Sequence, residues 1–277
     1  MKNRKLLVIG VAGAIGTCGV AQAQAQAQAQ EAAPPHKITA QEVAEALADP
    51  SADIMYFNAS YRYYLEAGLH HDQENQELRL NAAGFVRLPN DTSILYRGYL
   101  PLYSTEFPFD NEGVGDTLLS AYWVPSKGNT IIGFGGAMML PTATQDYFGT
   151  GKVSLGPTLI VAEKVPGKFT VGALLTHVWS VAGDHNRGQV SLSTIQPAVT
   201  CFINKKGTSV TLGSESTYNW DANHDPWQVP VTLAVGQVLP PIGKEFIAVA
   251  VGGSYYAVRS DFAQKWDIRV VVSVVFP

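Results

Sequence analysis

Few residues in this 277-residue sequence carry chemistry that a catalyst or a metal centre could use. His177 and Ser180 have the types of a hydrolase pair, in which the imidazole would take the serine proton. Three positions apart on a strand, their side chains point to opposite faces. A serine from a neighbouring strand, Ser193 or Ser216, is the alternative partner, and no spacing in the sequence supports it. A histidine hydrogen-bonded in a lumen or at an interface is the plainer reading. His70-His71 lies in a polar loop, where adjacent histidines are more often exposed than ligating. Asp221, His224 and Asp225 form a denser cluster whose carboxylates could hold a cation. There is no CxxC pair and no Cys/His spacing of a zinc site. No catalytic residue, metal or cofactor is assigned on this basis.

Seven other charges fall inside segments that alternate apolar and polar residues: Glu77, Arg79, Arg97, Asp116, Glu215, Asp267 and Arg269. If those segments cross a bilayer, an arginine or lysine on the lipid side costs about 2–4 kcal/mol at the midplane. The seven are therefore expected to line a lumen. There they form either a salt-bridge network that fills a closed barrel or the wall of a solute path.

The segments that must position them are strands. About twelve are expected, near 52–67, 75–87, 92–104, 115–124, 129–140, 153–163, 168–180, 190–203, 208–219, 226–238, 244–256 and 264–276. At roughly ten to sixteen residues they exceed ordinary soluble strands and suit tilted strands crossing a membrane. In the last, Trp266, Ile268, Val270, Val272, Val274 and Phe276 share one face. Asp267, Arg269 and Ser273 share the other, with Val271 and Val275 as apolar exceptions. In 226–238, Trp227, Val229, Val231, Leu233 and Val235 alternate with Gln228, Thr232, Ala234 and Gly236. Segment 168–180 is apolar on both faces. Period two with one apolar face is the strand signature; in a membrane barrel that face meets lipid.

The connections alternate long and short along the chain. Gly68–Glu74, Thr105–Val114, Pro141–Lys152, Val181–Gln189, Asp221–Asp225 and Arg259–Ala263 are long; Pro89–Asp91, Pro125–Gly128, Lys164–Gly167, Asn204–Gly207 and Pro240–Gly243 are short. Outer-membrane barrels pair long external loops with short periplasmic turns. The long loops are acidic, and their carboxylates could meet lipopolysaccharide phosphates through divalent cations; plain solubility explains them equally. Tyr99, Tyr103, Trp123, Trp179, Trp220, Trp227, Tyr255 and Trp266 sit near segment ends and are expected in the aromatic girdles.

Ahead of the strands, Thr39-Ala40-Gln41-Glu42 has capping-box spacing. Val43, Ala44, Leu47 and Ala48 give a weak apolar stripe, and Pro50 ends the helix. A helix this short is marginal alone. It is expected either to dock in the barrel mouth, narrowing it, or to fray outside.

Residues 1–23 read as a secretory signal peptide: a basic start at Met1 to Lys5, an apolar Leu6 to Val20, and Ala21-Gln22-Ala23 at the cleavage point. A lipoprotein cleavage at Cys18 is disfavoured by Thr17 before it. Residues 24–50 then hold an Ala-Gln tract and the short helix, and 51–277 the barrel. Cleavage leaves Cys201 without a partner for an internal disulfide. The net charge of −4 argues against a nucleic-acid partner.

Several stretches carry a family resemblance: Gly113-Val114-Gly115-Asp116, Met139 to Thr144, Gly151 to Pro157, Gly172 to Asp184, and Glu215 to Trp220. On them the chain resembles the outer-membrane proteins grouped as the MetA-pathway of phenol degradation, often labelled transporters. The ending, Val270 to Phe276, is similar to the terminal aromatic signal read by barrel-insertion machinery, although Pro277 follows the usual last Phe. The resemblance covers nearly the whole mature chain. It implies an outer-membrane barrel with a transport-type role, no catalytic residues, and no settled substrate.

The all-β reading is thus a transmembrane, antiparallel, up-and-down barrel in the bacterial outer membrane. Its partners would be lipid, lipopolysaccharide, the insertion machinery and a small-molecule solute. Twelve strands give a backbone radius of roughly 12 Å and at most about 10 Å of free width, enough for a small solute. Phe85, Tyr96 and Tyr122 add aromatic surface, so small aromatic or apolar solutes are the expected cargo. A closed structural or surface-interaction barrel is the alternative, and a barrel hydrolase comes third.

Overall fold

The computed structural model describes residues 38–68, 70, 72–89, 92–106, 110–125 and 128–276. The expected signal segment, Cys18, the Ala-Gln tract and His71 lie outside the described residues. One helix, α1 (Ala40–Ala48), precedes fourteen strand segments. They are β1 (Met55–Ala67), β2 (Gln73–Arg87), β3 (Ser93–Thr105), β4 (Asn111–Val114), β5 (Thr117–Val124), β6 (Thr130–Leu140) and β7 (Lys152–Val165). Then come β8 (Phe169–Gly183), β9 (Ser191–Phe202), β10 (Thr208–Gly213), β11 (Ser216–Asn219), β12 (Trp227–Val238), β13 (Phe246–Val258) and β14 (Trp266–Phe276).

Strands pair antiparallel in chain order apart from the β4/β5 and β10/β11 splits, and β14 pairs with β1 from Met55↔Phe276 to Leu65↔Trp266. That last pairing leaves no sheet edge among the described strands, the closure a bilayer demands of a spanning sheet. The segments make twelve staves: β4 and β5 both pair with β3, and β10 and β11 both lie between β9 and β12.

Two expected single strands are therefore interrupted. Expected segment 208–219 breaks at Ser214-Glu215. The registers of β10 and β11, continued through the gap, set Ser214 opposite Pro197 and Glu215 opposite Pro230. Proline has no N–H to donate to a ladder. Expected segment 115–124 instead starts at Thr117 and is preceded by β4, because Gly115-Asp116 turns aside to bind the loop after β6.

Side-chain facing follows the alternation. Val231 and Val272 are 46% and 42% exposed on the outer face, while Ser273 is buried inside. Outer aromatics gather toward the two ends of the staves. Trp179, Tyr218, Trp220, Trp227, Tyr255 and Trp266 form contacts at the long-loop end. Phe57 meets Phe276, and Trp123 meets Phe134, at the short-turn end. Tyr99 and Tyr103 do not join these belts: they line the interior, being on the same face of β3 as Arg97. Tyr96 is outward and Tyr122 is buried inward, where Phe85 packs beside it.

The interior has two apolar layers toward the short-turn end. One is built by Leu95, Tyr122, Val124, Ile131, Ile160 and Ala162. The other is the seat of α1: Val43 and Ala44 are buried against Val238, Phe246 and Val275. Full burial of one such valine contributes about 1.5–3 kcal/mol. The capping box forms, with Thr39 N–H donating to Glu42 at 2.7 Å and Glu42 N–H donating to Thr39 Oγ1 at 3.2 Å. Polar clamps fix the helix to the turns: Lys164 Nζ meets Asp49 at 2.7 Å, and Gly167 N–H donates to Glu45 at 3.1 Å. Gly207, at φ 81°, lies so close to Ala40 that an added Cβ would stand 2.8 Å from its carbonyl oxygen. Of the two expected placements for the helix, the structure has the docked one.

Candidate functional site

The candidate site is the bore, and its charged side chains come from facing walls. Glu215, on the proline-flanked break, accepts from Arg62 Nη2 at 2.9 Å and from Arg79 Nη1 at 2.8 Å. Arg79 Nε also meets Glu77 at 2.6 Å, and Arg62 Nη1 stands 3.6 Å from Glu77. Tyr64 donates its hydroxyl to Glu77, and the Arg79 guanidinium lies 4.6 Å from the centre of the Tyr99 ring. Two carboxylates and two guanidiniums thus form a closed, neutral set, which offsets the cost of taking four charges out of bulk water. Arg62 Nε is buried without an acceptor.

A second pair stands on one strand. Asp267 and Arg269 are two residues apart on the inner face of β14, and Arg269 Nη2 donates to Asp267 at 2.9 Å and to Ser254 at 2.6 Å. Tyr256 donates to the same carboxylate at 3.1 Å. Arg97, whose cross-strand neighbours are Ala83 and Ser120, has no acceptor within bonding distance.

Three cavities occupy the bore. One of about 650 Å³ toward the long-loop end is lined by Arg62, Glu77, Arg79, Arg97, Glu215 and Arg269 together with Tyr64, Tyr99 and Tyr103. One of about 310 Å³ lies between Ala48 and Pro50 of the helix segment and a wall of Thr170, Thr200, Thr211 and Thr232. One of about 210 Å³ is lined by Leu47, Ile54, Tyr56, Leu95, Tyr122 and Ile160.

Of the seven residues expected in the lumen, the structure brings Glu77, Arg79, Arg97, Glu215 and Arg269 to the largest cavity, and Asp267 is buried against Arg269. Asp116 is placed elsewhere. It accepts from Thr150 N–H at 2.6 Å, Thr150 Oγ1 at 2.8 Å and Ala143 N–H at 3.3 Å, and so anchors the β6–β7 loop. Arg187 donates to the carbonyls of Asp146, Gly149 and Thr150 in the same loop. The loop so held turns inward: Tyr147 and Phe148 line the largest cavity, and Phe148 stacks on Tyr103 at 5.3 Å.

Sequence reasoning did not single out Arg62. The signal was there, since it is a lone charge in the aromatic run Tyr61-Arg62-Tyr63-Tyr64 and falls under the same lipid-cost rule as the others. The other chemistry-bearing residues do not gather. His177 Nδ1 bonds Ser193 Oγ at 2.8 Å, the cross-strand partner weighed above, and Ser193 also accepts from Trp220 at 2.9 Å. This places His177 in the outer aromatic belt with no carboxylate attached, while Ser180 bonds Gln189 at 2.6 Å. Among the described residues no group of three His, Cys, Asp or Glu could hold a metal, so Asp221, His224 and Asp225 do not converge.

No family model and no curated protein matches the chain. Solved structures do. The fold is similar to that of an outer membrane channel from Pseudomonas putida F1, at a TM-score of 0.63 and 14% identity over 82% of this chain and 98% of that one. A KdgM porin is matched at 0.42 and 13% identity over 79% and 98% of the two chains. The beta domain of the Bordetella autotransporter BrkA is matched at 0.43 and 11% over 80% and 98%. At these identities the first likeness speaks for the barrel fold, and the other two carry no weight.

Proposed function

We propose that this chain is a bacterial outer-membrane channel for small solutes, aromatic or apolar ones included, and not an enzyme. One observation carries the reading: the barrel is not packed solid, but holds three cavities in series with a charged set at its waist. The resemblance to the MetA-pathway family and the fold shared with a bacterial outer-membrane channel favour the same role. On this reading the six long connections face outward, the short turns and α1 face the periplasm, and the outer belts sit at the two lipid interfaces. Lipid, lipopolysaccharide and the insertion machinery would be its partners.

A second reading has its own observation. The Arg62–Glu77–Arg79–Glu215 set crosses the bore and α1 is docked at its mouth, as a closed structural barrel would have them. Single-channel recording on refolded protein in a planar bilayer separates the two. Discrete conductance steps support the channel. Silence from protein that is folded and inserted supports the closed barrel.

A further inference from the structure

Four arginines line the largest cavity, and three are neutralised. Arg62 and Arg79 share Glu77 and Glu215, and Arg269 is held by Asp267. Arg97 is the exception: no carboxylate, carbonyl or hydroxyl in the described structure accepts from it. An arginine stays protonated at any ordinary pH and presents a planar fork that matches a carboxylate. Left half-buried beside Ala83 and Ser120, it is a charge with room next to it.

Its position matters as much as its charge. Arg97 is the one described residue that lines all three cavities. The wall of the smallest is mixed, with apolar side chains from Leu47, Ile54, Leu95, Tyr122 and Ile160 on part of it. Its one carboxylate, Asp49, is already paired with Lys164. A ligand seated here meets a guanidinium at one end and apolar side chains at the other.

We infer that Arg97 and the cavity beneath it, with its partly apolar wall, form a binding site for a small organic carboxylate with an apolar or aromatic body. The carboxylate takes the free guanidinium fork, and the body lies against Leu47, Ile54 and the edge of Leu95. The inference rests on the channel reading and names the class of solute that such a channel would carry. A neutral alcohol of the same shape loses the charge-assisted bonds, and acetate loses the apolar burial.

Titration calorimetry on the refolded protein in detergent, with benzoate, benzyl alcohol and acetate as probes, tests the site without requiring transport. Benzoate is expected to bind at least tenfold more tightly than either other probe. R97Q should lose at least tenfold in benzoate affinity and R97K should keep part of it. R87Q, the same charge change on an exposed side chain, should bind as the wild type does. Equal binding of benzoate and benzyl alcohol, or unchanged benzoate binding by R97Q, overturns the site. Should R97Q fail to fold, R97K and the three-probe comparison still decide. Bilayer recording then tells the two readings apart. Arg97-dependent benzoate binding by a silent barrel keeps the site and removes the channel. Conductance without benzoate binding does the reverse.

Discussion

Glu215 and Arg79 are paired at 2.8 Å although 136 residues separate them along the chain. Around the barrel, from the β10/β11 stave through β12, β13, β14 and β1 to β2, they are five steps apart. The bond therefore spans the bore rather than a strand pair. Glu215→Gln keeps the volume and removes the charge, leaving Arg62 and Arg79 with Glu77 alone. The expected result is a larger conductance and a shift toward anion preference, read as the reversal potential in a salt gradient. Loss of stability should stay at or below about 3 kcal/mol, since the Glu215 side chain is only partly buried and Gln can still accept. An unchanged reversal potential would show that ions do not pass this waist.

Helix α1 is docked at the short-turn mouth. Deleting residues 31–49 should raise conductance or speed uptake of small solutes, with the barrel still folded by its gel mobility. Identical conductance with and without the helix would assign it to stability alone.

The β6–β7 loop is held by Asp116 on one side and Arg187 on the other. Asp116→Ala removes the acceptor of three hydrogen bonds. Freed from it, Tyr147 and Phe148 should leave the bore more often. Current noise at high voltage should rise, with little change in thermal stability, because the strands do not depend on the loop. Quiet wild-type-like traces would place the constriction elsewhere.

The outer face should reject charge. Val231→Arg or Val272→Arg places a guanidinium in lipid at a cost of about 2–4 kcal/mol at the midplane, whereas Thr232→Arg or Ser273→Arg points it inward. Folding yield into vesicles should fall for the first pair and hold better for the second. Equal yields would contradict the facing.

The orientation in the membrane has its own test. Epitope tags beside His185 or His224 should bind antibody on intact cells, and tags at Lys205-Lys206 should not. The reverse pattern would turn the barrel upside down.

Strands and facing were legible because each depends on neighbours in sequence; the alternation of connections is looser than expected, since 239–245 is as long as 220–226 and 259–265 on either side. The bore was less so. Val271 and Val275 read as lapses on the polar face of β14; Val275 is in fact part of the seat of α1, and Val271 lines the main cavity. Phe85 is inward for a similar reason, packing on the Leu95–Tyr122 layer. A period-two pattern records which side a residue faces, not what awaits it across the barrel. Tyr99 and Tyr103 were misplaced in the girdle because position near a strand end does not fix the side. Asp116 was misplaced because Gly115 and Asp116 leave the ladder. The seven charges could be named without their partners, since pairing depends on the stagger of staves far apart in sequence.

The seat of α1 is made by Val238, Phe246 and Val275, from β12, β13 and β14. The helix comes first in the chain and its receptor comes last. During assembly this seat is absent until β12, β13 and β14 have formed. Closing the longest loop in the chain is also the entropically dearest contact. The docking is thereby timed by the wall: a barrel without its last hairpins has no apolar seat for the helix, and a seated helix is a sign that those hairpins have formed.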